Sequence, residues 1–227
     1  MAHGPTPGNG SRGPGRQPVE PVHHPWFSRL YPFAEPALQR MVGQARAQQN
    51  SQAVGRTLII GAGTGLDVPV LGTAVSDVVL LEPDATMRGI VTRRYPGLPC
   101  WGAPAESIPS PPDAFDTVIS SLVLCSVIDL DQVLDEIARV LKPGGQFLFL
   151  EHVVSRAAGT RLLQHTVDPA WRHLAGGCRL TRDLEAGIRS SPMAVIEYEP
   201  VRAGGLLPVV RGRALAPGPA SYATQRG

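Results

Sequence analysis

The sequence predicts an α/β fold: one doubly wound sheet of seven strands, mostly parallel, with helices on both faces and an antiparallel last strand. Three observations predict it. Short runs rich in Val, Ile and Leu alternate with segments whose apolar residues recur at helical spacing, as in successive strand–helix–strand units. One run, Thr117–Leu122, carries no charge and follows Asp116, as a central strand covered on both faces should. The last two runs, Val195–Glu199 and Leu206–Ala214, are joined through Ala203-Gly-Gly205, which reads as a terminal hairpin.

Each element has its own reason. Trp26–Gln44 is expected to be helical, with Phe27, Leu30, Tyr31 and Phe33 as apolar anchors. Thr57–Ile60 is the first strand, followed by a glycine turn and a short helix with Pro69 near its first turn, where proline is tolerated. Asp77–Leu81 is the second strand. The helix Asp84–Arg94 carries Met87, Ile90 and Val91 on one face, and Leu98–Trp101 is a short third strand. After the fourth strand, Leu130, Val133, Leu134, Ile137 and Leu141 recur at helical spacing behind Asp129 or Asp131 as N-cap. Lys142-Pro-Gly-Gly145 stops that helix and turns into the fifth strand, Gln146–Leu150. A helix over Arg161–Leu174 is expected to divide at Asp168-Pro169, because proline disfavours α geometry at the residue before it. Another helix spans Arg182–Ser190 behind Thr181 as N-cap.

Residues 1–20 are rich in Gly and Pro and too poor in apolar groups to offset ordering entropy, so they read as a disordered tail. Residues 216–227 read as a flexible tail, leaving one folded domain over 21–215. With a net charge of +2 on 227 residues, there is no general electrostatic case for a nucleic-acid partner. No apolar run approaches the roughly 18–20 residues that span a bilayer. The three cysteines have no paired spacing, which suits free thiols in a reducing, cytoplasmic setting. Cys125 and Cys178 are expected to be small buried apolar groups. His23-His24 has no partner at metal-ligand spacing, so no metal is expected.

The chemistry concentrates at Thr57-Leu-Ile-Ile-Gly-Ala-Gly-Thr-Gly65 and Leu80-Leu-Glu-Pro83. A glycine turn lets backbone pass close to a ligand where a Cβ would clash. A carboxylate at the tip of the next strand, Glu82, can accept hydrogen bonds from two ribose hydroxyls, so the layout suits an adenosine-containing cofactor. A dinucleotide turn wants a third glycine at position 66, which is Leu. That spacing argues against a nicotinamide-dependent oxidoreductase.

Glycines at 61, 63 and 65 resemble the first motif of class I S-adenosylmethionine-dependent methyltransferases. Three further segments are similar to that superfamily in order and spacing: Ala105-Glu-Ser-Ile-Pro109, Phe115–Leu122, and Glu136–Gly145, the helix and turn that lead into the fifth strand. The resemblance implies a Rossmann-like sheet, S-adenosylmethionine as cofactor, and a small-molecule acceptor, with the protein acting as a monomer or homodimer. A narrower likeness lies in Leu122–Val127, Glu151-His-Val153, Asp168-Pro-Ala-Trp171 and Gly177–Arg182, which resemble the thiol S-methyltransferases of animals and their bacterial relatives. It implies S-methylation of a thiol. O-, N- or C-methylation of a lipid, quinone or secondary metabolite is the alternative within the class. There are two departures. Ile59 stands where the family carries an acidic residue, which also leaves open a non-catalytic cofactor-binding protein. The animal enzymes' apolar N-terminal anchor is replaced by a Gly/Pro stretch.

The resemblance places Gly61, Ala62, Gly63, Thr64, Gly65, Glu82, Pro83, Met87, Ala105, Glu106, Ser120, Ser121 and Leu122 at the cofactor. Glu106 can reach the adenine or merely cap a loop. His152, directly after the fifth strand, can take an acceptor proton or serve as a structural histidine. His165 is a second candidate base in the helix expected to cover the acceptor. Asp168 can orient a base or cap a helix, and Trp171 can wall the acceptor or pack the lid.

Overall fold

The computed structural model of the protein describes residues 25–201 and 205–218. Its single sheet has seven strands: β1 (Gly55–Ile60), β2 (Val75–Leu81), β3 (Cys100–Trp101), β4 (Phe115–Ser121), β5 (Leu141–His152), β6 (Ala194–Val201) and β7 (Val209–Leu215). Their order is β3-β2-β1-β4-β5-β7-β6. The first five pair in parallel, whereas β7 runs antiparallel to both β5 and β6. Chain order reverses direction between β1 and β4, and the crevice outside the carboxyl ends of those two strands is where open α/β sheets bind ligands.

The helices are α1 (Pro25–Asn50), α2 (Ala85–Arg94), α3 (Leu130–Val140), α4 (Ala158–Leu174) and α5 (Leu184–Ser190). Strand alternation distributes the core to both faces. Leu58 and Ile60 of β1 join Val133, Ile137 and Ile188 on one side, whereas Ile59 packs with Leu80, Val91 and Ile119 on the other. Asp129 caps α3 by accepting from Gln132 N at 3.0 Å.

Several boundaries differ from expectation. The first helix runs on to Asn50, because Arg46 and Asn50 are anchored by the buried Asp67. β5 begins at Leu141, and Lys142–Gly145 bulges out of the β4–β5 ladder with Gly144 at φ +74°. Pro169 does not divide α4, which is continuous. Asp168 caps no helix there. It accepts from Leu180 N at 2.7 Å and pairs with Arg172 at 2.9 Å, so tertiary contacts hold the helix through the proline. Asp183, rather than Thr181, caps α5, accepting from Ala186 N. β7 starts at Val209, directly after Pro208, which has no N–H to donate. Ala216 is buried and donates to Gly145 O, continuing the packed chain past position 215. The expected tail at 1–20, His23-His24 and Ala203 lie outside the described residues. Among the described residues no helix is long and apolar enough to cross a membrane, and no group of three or more His, Cys, Asp and Glu could hold a metal ion.

Candidate active site

A cavity of about 540 Å³ opens at the reversal point between β1 and β4. At one end lie the glycine turn after β1 and the tip of β2. Gly61, Gly63 and Gly65 all have positive φ, of +58°, +55° and +88°. Their surroundings differ. A Cβ on Gly61 would strike Val123 at 2.5 Å and one on Gly65 would strike Tyr95 at 2.5 Å, whereas one on Gly63 would meet only Gly61 O at 3.9 Å. Gly63 therefore presents bare backbone to the cavity. Glu82 is buried beside it and accepts from Gly63 N at 2.7 Å and Asp84 N at 2.9 Å. Burial pushes its carboxyl above the ordinary range, against the pull of those two N–H groups.

Of the residues expected at the cofactor, Gly61, Gly63, Glu82, Pro83, Met87, Ala105, Glu106, Ser121 and Leu122 line the cavity. Ala62, Thr64 and Gly65 support the turn from behind; Ala62 N, for example, donates to Leu81 O at 3.0 Å. Ser120 does not line the cavity. It is fully buried and donates to Glu151, because alternate residues of β4 point to opposite faces. Glu106 accepts from Ile128 N at 2.8 Å and so ties down the segment that precedes α3.

The other end of the cavity is built by β5, α1, α4 and the turn that follows α4. His152 is 4% exposed, borders the cavity, and has no hydrogen-bond partner on either ring nitrogen. Trp171 Nε1 is likewise buried and unpartnered. Buried polar atoms without partners are uncommon, and two side chains carrying them on one cavity wall mark a place where a ligand supplies the partner. Around them the wall is apolar: Phe27, Leu38, Met41, Val127 and Leu174. Asp168 lies behind this wall, and His165 does not approach it. The α4 period turns Gln164 and Asp168 inward, leaving His165 exposed on the outer face.

Four features escaped sequence reasoning. Glu151 is fully buried and accepts from Ser120, Val123 N and Leu124 N. Burial raises its pKa to about 7. It pins the turn in which Leu122 takes φ +61°, a left-handed conformation that costs a non-glycine residue about 1–2 kcal/mol. Arg182 reinforces the same turn by donating to Leu124 O at 2.6 Å and Val127 O at 2.7 Å. Asp67 is a buried carboxylate that accepts from Asn50 and, at 2.7 Å, from the Ser121 hydroxyl, and stands 3.3 Å from Arg46. Ile59, by contrast, is core. The negative charge missing at position 59 is thus found one hydrogen bond behind the cavity wall. Finally, Phe27, Tyr31, Leu38 and Met41 make α1 part of that wall. Burial pushes the Tyr31 phenol to about 12, so it remains a neutral hydroxyl.

A methyltransferase-domain family model matches residues 58–149, which run from within β1 to within β5 and include the glycine turn and Glu82. Thiol S-methyltransferase TMT1B of Rattus norvegicus is 40% identical over 87 residues, spanning 38% of this chain and 36% of the relative's own length. Human thiol S-methyltransferase TMT1B is 28% identical over 198 residues, spanning 79% of this chain and 80% of that protein. Among solved structures, an S-adenosylmethionine-dependent methyltransferase of Thermotoga maritima superposes with a TM-score of 0.63 at 21% identity, over 84% of this chain and 98% of that one. The chain thus carries a methyltransferase domain over residues 58–149, set in the sheet order and glycine turn of the class I S-adenosylmethionine-dependent methyltransferases to which it is similar. Within that class its sequence is similar to the thiol S-methyltransferases.

Proposed function

We propose that this chain moves a methyl group from S-adenosylmethionine to the sulfur of an apolar small-molecule thiol. The observation that carries this reading is the pairing, in one cavity, of a bare-backbone glycine turn beside Glu82 with an unpartnered buried imidazole under an apolar roof. The residues present fit the donor. Gly63 leaves room that a Cβ would take, Glu82 is oriented to accept from ribose hydroxyls, and Ala105 and Glu106 flank the place for the adenine. Ser121, backed by the Asp67 carboxylate, suits the methionine ammonium.

When bound, S-adenosylmethionine supplies a methyl group already activated by its sulfonium. The protein's task is then alignment, exclusion of water and removal of one proton. His152 takes the thiol proton on a ring nitrogen, leaving a thiolate whose hydration shell the apolar wall has stripped away. Trp171 Nε1 donates to that sulfur and fixes its position. A thiol needs little help to ionise, because its ordinary pKa lies near 8.5, well below that of an alcohol or phenol.

The test is a screen of matched thiols, phenols and amines with radiolabelled methyl donor. Alkyl or aryl thiols should be methylated fastest. Faster transfer to phenols or amines would overturn the acceptor assignment, and no saturable binding at millimolar S-adenosylmethionine would overturn the enzyme. His152→Gln should leave donor affinity unchanged but lower turnover by roughly 10²–10⁴-fold, the range for a lost general base. That loss should shrink as pH rises past the acceptor's own pKa, because solution thiolate then bypasses the missing base.

A further inference from the structure

Cys125 and Cys178 are not inert filler. Both border the cavity, at the same end as His152 and Trp171. Two glycines with positive φ, Gly176 at +60° and Gly177 at +85°, fold the chain back after α4 and carry Cys178 onto the cavity wall. There Arg179 N donates to Cys125 O at 3.0 Å, holding the two cysteine-bearing segments one backbone hydrogen bond apart. Arg182, four residues after Cys178, fastens the same two segments through Leu124 O and Val127 O. The two thiols are near enough to shift each other's ionisation in opposite directions.

We propose that Cys125 and Cys178 form a reactive dithiol that exchanges with low-molecular-weight apolar disulfides entering the cavity, giving the site a thiol–disulfide exchange activity beside methyl transfer. The proximity of the two thiols divides the labour. Cys125 draws the Cys178 thiol well below the usual cysteine range, with the field of the nearby His152 imidazole in the same direction, whereas Cys125 is held above that range by Cys178 and by burial. Cys178 is also the more exposed of the two. Cys178 thiolate therefore attacks first: its sulfur bonds to one sulfur of the disulfide RSSR, the S–S bond breaks, and RS⁻ leaves. Cys125 then loses its proton to His152 or solvent and attacks the Cys178 sulfur, expelling the second RS⁻. The pair is oxidised to a disulfide and RSSR is reduced to two thiols, with two electrons passing between them. The products belong to the class of acceptor proposed above. The bridged pair narrows the acceptor end, so the oxidised protein binds donor but transfers poorly.

The proposal rests on the cavity rather than on methyl transfer, and its test needs no methyl donor. Reduced protein carrying Cys100→Ser is mixed with dipyridyl disulfide and followed by pyridinethione absorbance and intact mass. Cys100 is removed because it is half-buried, with burial raising its pKa. Two pyridinethiones should leave per chain. The product should weigh two hydrogens less than the reduced protein, carry no adduct, and yield a Cys125–Cys178 crosslinked peptide. Adding Cys125→Ser should stop the reaction at a mixed disulfide on Cys178 with one pyridinethione released. Adding Cys178→Ser should slow the first step at least ~10-fold, because the thiolate is lost. A wild-type pair that retains a stable adduct, or a Cys178→Ser chain that reacts as fast as its parent, would overturn the proposal. The crosslinked peptide is read on chains with both cysteines intact, so it decides the matter even if a serine variant fails to fold. Should exchange occur while no thiol is ever methylated, the dithiol stands and the acceptor assignment alone falls.

Discussion

Replacing Glu82 with alanine probes the donor half of the cavity. The carboxylate is 6% exposed, and each oxygen is already held by a backbone N–H, from Gly63 and Asp84. It is therefore aligned before ligand arrives, and little ordering entropy is lost when the ribose docks. Hydrogen bonds to a charged acceptor contribute about 1.5–3 kcal/mol each, partly offset here by desolvation of the carboxylate. A net loss of about 2–3 kcal/mol, or roughly 30–150-fold in Kd for S-adenosylhomocysteine, is expected by calorimetry. The two orphaned N–H groups will also lower stability, by about 1–3 kcal/mol, so binding is measured well below the variant's Tm. A 2′-deoxyribose analogue separates the two effects. Wild type should bind it more weakly than the parent ligand, and Glu82→Ala should bind both alike. Affinity in wild type should also fall as pH drops, because burial raises the Glu82 pKa and only the ionised form accepts from both hydroxyls. A folded Glu82→Ala that binds normally, or that still discriminates against the analogue, would refute the assignment.

Gly63→Val should keep the fold but lose saturable donor binding, since a β-branched side chain at φ +55° is strained and its methyls occupy cavity space; circular dichroism and calorimetry together decide this. Asp67→Asn should weaken S-adenosylhomocysteine but leave adenosine affinity unchanged, because only the former carries the ammonium; equal weakening of both would remove Asp67 from donor recognition. Glu151 holds its proton up to about pH 7, against an ordinary value of 4.5. Its pKa is raised on folding, so the associated stability is complete below the unfolded value and is lost as pH rises through about 7. The loss should amount to about 3 kcal/mol in urea titrations compared across that window. Glu151→Gln should flatten that slope, and an unchanged slope would show that the pH dependence arises elsewhere.

The strands were legible because their signals are local: uncharged apolar runs bounded by glycine, proline or aspartate. The glycine turn and Glu82 were legible for the same reason, being defined by spacing along a single strand–turn–strand unit. Asp168-Pro169 misled because a local rule about proline met tertiary anchors, Leu180 N and Arg172, that the rule does not contain. Glu151 could not be read at all. Its three donors, Ser120, Val123 and Leu124, become its neighbours only once β4 pairs with β5. His165 and Gln164 differ by one step of a helix, and only the packed structure says which of them looks inward. The two cysteines are 53 positions apart by their numbering, too far for any spacing rule, and the Gly176-Gly177 turn is what unites them.

α1 precedes the first strand, yet it furnishes Phe27, Tyr31, Leu38 and Met41 to the acceptor end of the cavity. The donor end is drawn almost wholly from the segment between β1 and β4. The same helix also reaches the glycine-turn end, where its Arg46 and Asn50 hold the buried Asp67. Substitutions among Phe27, Leu38 and Met41 change the apolar wall, whereas substitutions at Arg46 or Asn50 of that helix disturb the carboxylate behind Ser121. One helix therefore couples the two ends of the cavity, so a change in its register would be felt at both.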